Sequence, residues 1–240
     1  MNPSPWNDST GSLALPQRAE VHLWSARLDD EDPGQFLEFL SPDERSRAGR
    51  FADPRPARRF INARGILRRL LGRYLAEAPG SLVFQYGLKG KPALRIKPPA
   101  PVSFNLSHSE GLAVYAFSGG GELGVDIEKI HPVPEIDEIS GCFFSPDECR
   151  RLTARLEEKQ ARFFEFWTCK EAVIKASGFG MGFPTREFTV DLDGAGPRLK
   201  AAPFDLTLGK ACRLALLQPG EGYRGALAVF DTDREQPGRY

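Results

Sequence analysis

Asp126-Ile127-Glu128 sets two carboxylates two residues apart, interleaved with apolar Val125 and Ile127. On a strand, alternate side chains share a face, so Asp126 and Glu128 would point together while Val125 and Ile127 enter the core. Two neighbouring acids repel unless a cation sits between them. Oxygen-only ligands suit Mg²⁺, with a phosphate completing the shell. A third acid lies in Trp167-Thr168-Cys169-Lys170-Glu171-Ala172-Val173-Ile174-Lys175. On a helix, Glu171 and Lys175 share a face with Trp167. Phe163 to Ile174 is apolar on most sides, so the helix should be buried and its charged groups need partners. A metal would serve Glu171 and a phosphate Lys175. The plain alternatives are an exposed polar strand face and a surface Glu–Lys pair worth about 0.3–0.5 kcal/mol.

Phe104-Asn105-Leu106-Ser107-His108-Ser109 reads as a strand over Val102 to Leu106 that turns at Ser-His-Ser into Glu110-Gly111. Polar residues at a strand end suit ligand contact. A polar turn and a satisfied core imidazole are the plain alternatives. Nothing places a nucleophile elbow here, so this is no Ser-His-Asp triad. Gly90-Lys91-Pro92 lies between two strands and reads alone as a hairpin turn, since the chain has no Walker loop.

These residues need scaffolding, and the chain supplies it twice. Phe39-Leu40-Ser41-Pro42-Asp43-Glu44 recurs as Phe143-Phe144-Ser145-Pro146-Asp147-Glu148, at an offset of 104. Both copies are helix starts, with a Ser N-cap, Pro at the first position and Glu closing a capping box. The same offset sets Val21-His22-Leu23-Trp24 on Val125-Asp126-Ile127-Glu128. After a three-residue insertion, Phe60, Arg64, Leu67 and Arg68 fall opposite Trp167, Glu171, Ile174 and Lys175. The spacing therefore predicts an α+β fold of two similar halves, each a strand, a capped helix, a longer helix and further strands. One half carries acids where the other has His22, Trp24 and Arg64, so one could hold a metal and the other anionic groups.

Hydrophobic periodicity predicts helices over 41–49, 58–76, 146–156 and 161–176. Strands are expected over 20–28, 82–86, 93–96, 102–106, 112–118, 123–128, 188–192, 212–217 and 226–230. The expected organisation is a flexible N-terminal extension over 1–19, an N-terminal half over 20–118, a C-terminal half carrying the metal site over 119–230, and a flexible tail over 231–240.

The 240 residues carry 32 basic and 32 acidic side chains. A whole-surface grip on nucleic acid or membrane is thereby excluded. The balance hides polarity: Arg45 to Arg73 holds ten Arg and one acid, whereas Glu122 to Glu148 holds eight acids and one Lys. That asymmetry suits a polyphosphate ligand, or merely two charged faces that attract each other. Cys142, Cys149, Cys169 and Cys212 lack metal-site spacing, and no signal peptide or membrane span is evident. Reduced thiols in a cytoplasmic protein are expected.

Taken together, Gly90-Lys91-Pro92, Phe104 to Ser109, Leu123-Gly124-Val125-Asp126-Ile127-Glu128 and Trp167 to Lys175 resemble the motifs of the Sfp-type 4′-phosphopantetheinyl transferases. The resemblance runs from about Val21 to Phe230. It implies a monomer of two α+β halves with coenzyme A between them. It also implies transfer of phosphopantetheine from coenzyme A to a serine of an apo acyl or peptidyl carrier protein, releasing 3′,5′-ADP. Asp126, Glu128 and Glu171 would hold Mg²⁺, and Lys175 would contact the pyrophosphate. Ser107, His108 and Arg59 would bind the 3′-phosphate region, and Lys91 and Pro92 would flank the adenine. Arg47 falls where some relatives place another basic contact, whereas Glu44 stands where some carry Lys. Glu171 is the first candidate base for the serine proton and Glu128 the second. Two rivals remain: a Mg²⁺-dependent nuclease or phosphohydrolase, and an Arg-rich phosphate- or RNA-binding module. Zero net charge and the lack of an aromatic-basic RNA motif count against both.

Overall fold

In the computed structural model, residues 1–231 are described except 10, 18–19, 87–91, 96–101, 155 and 208–209. The first half runs β1 (Ser4–Pro5), β2 (Val21–Arg27), α1 (Pro42–Ala48), α2 (Pro54–Leu75), β3 (Phe84–Tyr86), β4 (Pro92–Leu94), β5 (Ser103–Ser109) and β6 (Leu112–Ser118). The second runs β7 (Glu122–Lys129), α3 (Ile136–Phe143), α4 (Pro146–Thr153), α5 (Lys159–Ser177), β8 (Thr189–Asp191), β9 (Arg198–Ala201), α6 (Phe204–Thr207), β10 (Cys212–Leu217) and β11 (Tyr223–Phe230).

The two main sheets have strand orders β1-β2-β6-β5 and β10-β11-β7. Without β1, each half contributes its first, last and penultimate strands in that order. α2 buries Ile66, Leu67, Leu70 and Leu71 against Ala113, Tyr115 and Phe117 of β6. α5 buries Phe166, Cys169 and Val173 against Ala226 and Ala228 of β11. A third core joins the sheets, with Leu23, Val114 and Ala116 meeting Val125, Ile127, Leu227 and Val229. The fold is α+β, and the duplication is real in three dimensions.

Both capping boxes form. Ser41 and Ser145 accept from the amides of Glu44 and Glu148, whose carboxylates accept from the serine amides at 3.0 and 2.6 Å. Each closing glutamate is buried and meets a cation of the next long helix: Arg68 Nε lies 2.8 Å from Glu44, and Lys170 Nζ 2.7 Å from Glu148. Glu44 therefore belongs to the core. α2 starts earlier than expected because Asp53 caps it, accepting from the Arg55 amide at 2.9 Å, with Pro54 at the first position.

The N-terminal extension expected over 1–19 packs on the fold. Among its described residues, Ser4 and Pro5 pair in parallel with Trp24 and Ser25, and the Trp6 amide donates to Ser25 O at 2.6 Å. Arg73 Nε donates to Gly11 O at 2.7 Å. The Gln218 amide, beyond β10, donates to Met1 O at 3.0 Å, so the segment touches both halves. β2 offered an open edge, and Trp6, Leu13 and Leu15 offered apolar surface to cover it. Of the expected tail, residues 232–240 lie outside the described residues.

Candidate active site

The site lies where β5 of the first half meets β7 and α5 of the second. Gly124 allows the close approach: a Cβ there would stand 2.2 Å from Ala172 O and 2.5 Å from the Ala176 amide nitrogen. α5 can therefore lie flat on β7, which brings Glu171 and Lys175 over the acidic face. As the alternation requires, Val125 and Ile127 are fully buried between the sheets.

Lys175 Nζ lies 2.6 Å from Asp126 Oδ1 and donates to Ser107 Oγ at 3.3 Å and Val125 O at 3.2 Å. Asp126 is 4% exposed, and its Oδ2 is buried with no hydrogen-bond partner. Burial pushes its carboxyl above the usual range, against the pull of Lys175. Glu128 and Glu171 are raised in the same direction, by burial first and then by Asp126 beside each of them. Three carboxylates that resist ionisation side by side are short of positive charge.

No group of three acid, His or Cys side chains among the described residues is gathered tightly enough to hold a metal ion. The donor set nevertheless fits a hard cation in kind. All three side chains offer oxygen, they repel one another, and the orphaned Asp126 Oδ2 lacks a partner. The Lys175 ammonium supplies the positive charge at Asp126 Oδ1. Lys175, expected on a pyrophosphate, is here a partner of the acid.

β5 extends further than expected. Its pairing with β6 continues through Ser107, His108 and Ser109 to Leu112, so these residues are strand and not turn. Three of its side chains bond the edge of β7. Asn105 Oδ1 accepts from the Val125 amide at 2.9 Å, Ser107 Oγ from Ile127 at 3.3 Å and Ser109 Oγ from Lys129 at 3.1 Å. The serines also donate to the acids, Ser107 to Asp126 Oδ1 at 3.0 Å and Ser109 to Glu128 Oε2 at 2.7 Å. A hydroxyl has one proton and two lone pairs. Ser107, expected at the 3′-phosphate, donates to Asp126 and accepts from Ile127 and Lys175, so in this arrangement it holds the acid.

Arg59, expected at the 3′-phosphate region, is paired with two acids. It grips Asp29 through Nε at 2.8 Å and Nη2 at 2.7 Å, and reaches Glu110 at 3.1 Å. That fork holds the Asp29 carboxyl well below its usual range and ties the end of β2 to the β5–β6 turn. His108 is exposed at the far end of β5. The bulk around its ring, then Lys175, Arg64, Arg59 and Arg47, push its imidazole below the ordinary value. Arg47 lies over the Phe60 ring at 5.0 Å and lines an open recess of about 580 Å³ with Ser46, Arg50 and Phe51. The acids lie outside that recess. Pro92 opens β4 opposite Tyr86, and Lys91 lies outside the described residues.

Asn105 and Ser109 enter the sequence reading only within a motif, and Arg64 only as a counterpart in the duplication. The first two complete a polar alternation with Ser107, a signal visible in the sequence. Arg64, the counterpart of Glu171, is 7% exposed, sits between the Phe60 and Tyr86 rings, and has a buried Nη1 without a partner. The first half's counterparts of Asp126 and Glu128 both meet Tyr74, His22 Nδ1 and Trp24 Nε1 each lying 2.9 Å from its hydroxyl. Only one half of the duplication keeps the acids.

Residues 122–228 match the family model of the 4′-phosphopantetheinyl transferase superfamily, and 24–119 match that of the 4′-phosphopantetheinyl transferase N-terminal region. The chain is 37% identical to the 4′-phosphopantetheinyl transferase HetI of Nostoc sp., over 85% of this chain and 90% of that protein. The chain belongs to the 4′-phosphopantetheinyl transferase superfamily. It is an enzyme of the transferase class. It is also 32% identical to the 4′-phosphopantetheinyl transferase Sfp of Bacillus subtilis, over 86% of this chain and 89% of that one. Among solved structures, the holo-[acyl-carrier-protein] synthase of Thermotoga maritima superposes at a TM-score of 0.41 with 20% identity, covering 48% of this chain and 66% of that one.

Proposed function

We propose that this enzyme moves the 4′-phosphopantetheine of coenzyme A onto a serine of an apo acyl or peptidyl carrier protein. The observation that carries the reading is the β5–β7–α5 site: three carboxylates of raised pKa around a buried, partnerless Asp126 oxygen. The serine oxygen attacks the β-phosphorus of coenzyme A. The bond from that phosphorus to the bridging oxygen of the nucleotide breaks, and 3′,5′-ADP leaves with the electron pair. A Glu171 carboxylate oxygen takes the serine proton, and Glu128 is the second candidate. Positioning and charge neutralisation do most of the work in such transfers.

Asp126, Glu128 and Glu171 would hold Mg²⁺. When bound, the metal would supply charge neutralisation at the pyrophosphate. Lys175 adds positive charge beside it. His108, with Arg47 and Arg64, would meet the ribose phosphate, and Lys91 and Pro92 would serve the adenine. Nothing in the site is an obvious covalent nucleophile, so transfer is direct.

The relatives matched are named as transferases, which favours transfer over the nuclease or phosphohydrolase alternative. One chain supplies both halves of the site, which supports a monomer. Four free cysteines support the cytoplasm, and no helix among the described residues is long and apolar enough to cross a membrane. Mass spectrometry of an apo carrier protein incubated with the enzyme, coenzyme A and Mg²⁺, with a nucleic acid as decoy, tests the proposal. The carrier should gain one phosphopantetheine. Cleaved nucleic acid with an unmodified carrier would overturn it.

A further inference from the structure

The two serines of β5 repeat one arrangement at a spacing of two residues. Each hydroxyl accepts from a β7 amide, Ile127 or Lys129, and donates to the carboxylate of the residue just before that amide, Asp126 or Glu128. The amide fixes the hydroxyl, and the hydroxyl fixes one oxygen of the acid. The other oxygen is then turned away from the seam, as the partnerless Asp126 Oδ2 illustrates. Asn105 makes the same kind of anchor, on the Val125 amide, but its Oδ1 has no proton to pass on.

We propose that Ser109 is a positioning residue of the transfer site, aiming Glu128 through a hydroxyl anchored on the β7 backbone. Ser107 does the same for Asp126 but is also bonded to Lys175, so Ser109 separates the effect more cleanly. The first half thereby sets the geometry of acids that belong to the second. This deepens the transfer reading and rests on it. Groups that orient metal-binding side chains typically change metal affinity by about 10–100-fold when removed.

The test compares Ser109→Ala, Ser109→Thr and Asn105→Ala in the full-length enzyme. Mn²⁺ alone is titrated by calorimetry, alongside steady-state kinetics and melting temperature. Ser109→Ala should weaken Mn²⁺ binding about tenfold or more and lower kcat, with KM for coenzyme A changed less than about twofold. Ser109→Thr keeps the hydroxyl and should return both to within about threefold of wild type. Asn105→Ala removes an anchor without touching an acid, so it should lower the melting temperature and spare Mn²⁺ affinity. Wild-type Mn²⁺ affinity and kcat in Ser109→Ala would overturn the assignment. So would equal losses in Ser109→Ala and Asn105→Ala, which would make the seam a general brace. A wild-type enzyme that neither binds Mn²⁺ nor modifies a carrier would instead overturn the transfer reading beneath it.

Discussion

Replacing Lys175 with Met should destabilise this enzyme far more than replacing its partner Asp126 with Asn. The side chain of Asp126 is 6% exposed and that of Lys175 is 30% exposed. Losing the lysine strands a buried carboxylate left with the Ser107 hydroxyl and the Ile127 amide but no cation. Breaking a buried ion pair from one side costs about 3–5 kcal/mol. Solvent screening at the half-open lysine trims this to about 2–3 kcal/mol. For a chain of this size, that lowers the melting temperature by about 4–12 °C. Losing the aspartate charge leaves a lysine that can turn to water, and an amide can still accept from Ser107, so Asp126→Asn should cost about 1 kcal/mol or less. The double variant buries no charge and should lie within about 1 kcal/mol of wild type. The sign with pH follows. Burial already raises the Asp126 carboxyl in the folded state, and without Lys175 it rises further. A group with a raised folded pKa stabilises below its unfolded value near 3.9 and loses that contribution as pH rises through the folded value. The Lys175→Met deficit should therefore grow as pH rises above about 4. Urea unfolding at several pH values measures all three variants, and none should transfer. A Lys175→Met protein as stable as wild type, or a double variant no better than Lys175→Met, would refute the reasoning.

Other outcomes follow from the same geometry. His108→Ala should raise KM for coenzyme A about tenfold more than for 3′-dephospho-coenzyme A, since a hydrogen bond to a charged group is worth about 1.5–3 kcal/mol. Equal penalties would make His108 structural. Arg59→Met should penalise the two substrates equally, because its guanidinium is engaged by Asp29 and Glu110. Asp29 has a depressed folded pKa, so its stabilisation is present above about pH 4 and fades as pH falls. Acid titration of unfolding should show that fade in wild type and a smaller one in Arg59→Met, where Arg55 still holds Asp29. Glu148→Ala strands Lys170, 2% exposed, and should cost about 3–5 kcal/mol in denaturant melts. Most cations between Arg45 and Arg73 have internal partners, Glu44 for Arg68, Asp8 for Arg69 and backbone carbonyls for Arg58 among them. KM for the carrier should therefore rise less than about twofold between about 50 and 300 mM salt. A steep rise would assign steering to the cations left on the surface.

The parts read correctly from sequence are those fixed locally. The serine, proline and glutamate of each helix start sit within four residues, and both boxes form where expected. β6 and β10 match their expected limits because strand alternation and flanking turns bound them. The early start of α2 at the Asp53 cap was local and overlooked, whereas other features depend on distant partners. β1 is two residues long and exists only because β2 has an open edge. Ser107 to Ser109 looked like a turn because serines and histidine favour turns, whereas β6 extends the ladder to Leu112. Arg59 finds Asp29 thirty residues away, a partner no local pattern names. The acids themselves were legible from alternation on β7 and the turn of α5. The serines on β5 were visible as a polar alternation, but their bonds to the acids and amides of the other half are contacts between distant segments.

The central claim is transfer to a protein hydroxyl rather than loss to water, and counting both products decides it. With coenzyme A, Mg²⁺ and an apo carrier protein, 3′,5′-ADP released should equal the carrier modified, one for one. Neither should form when the carrier's serine is replaced by alanine. Release of 3′,5′-ADP that continues without a carrier, or outruns its modification, would contradict the assignment and make this site a hydrolase.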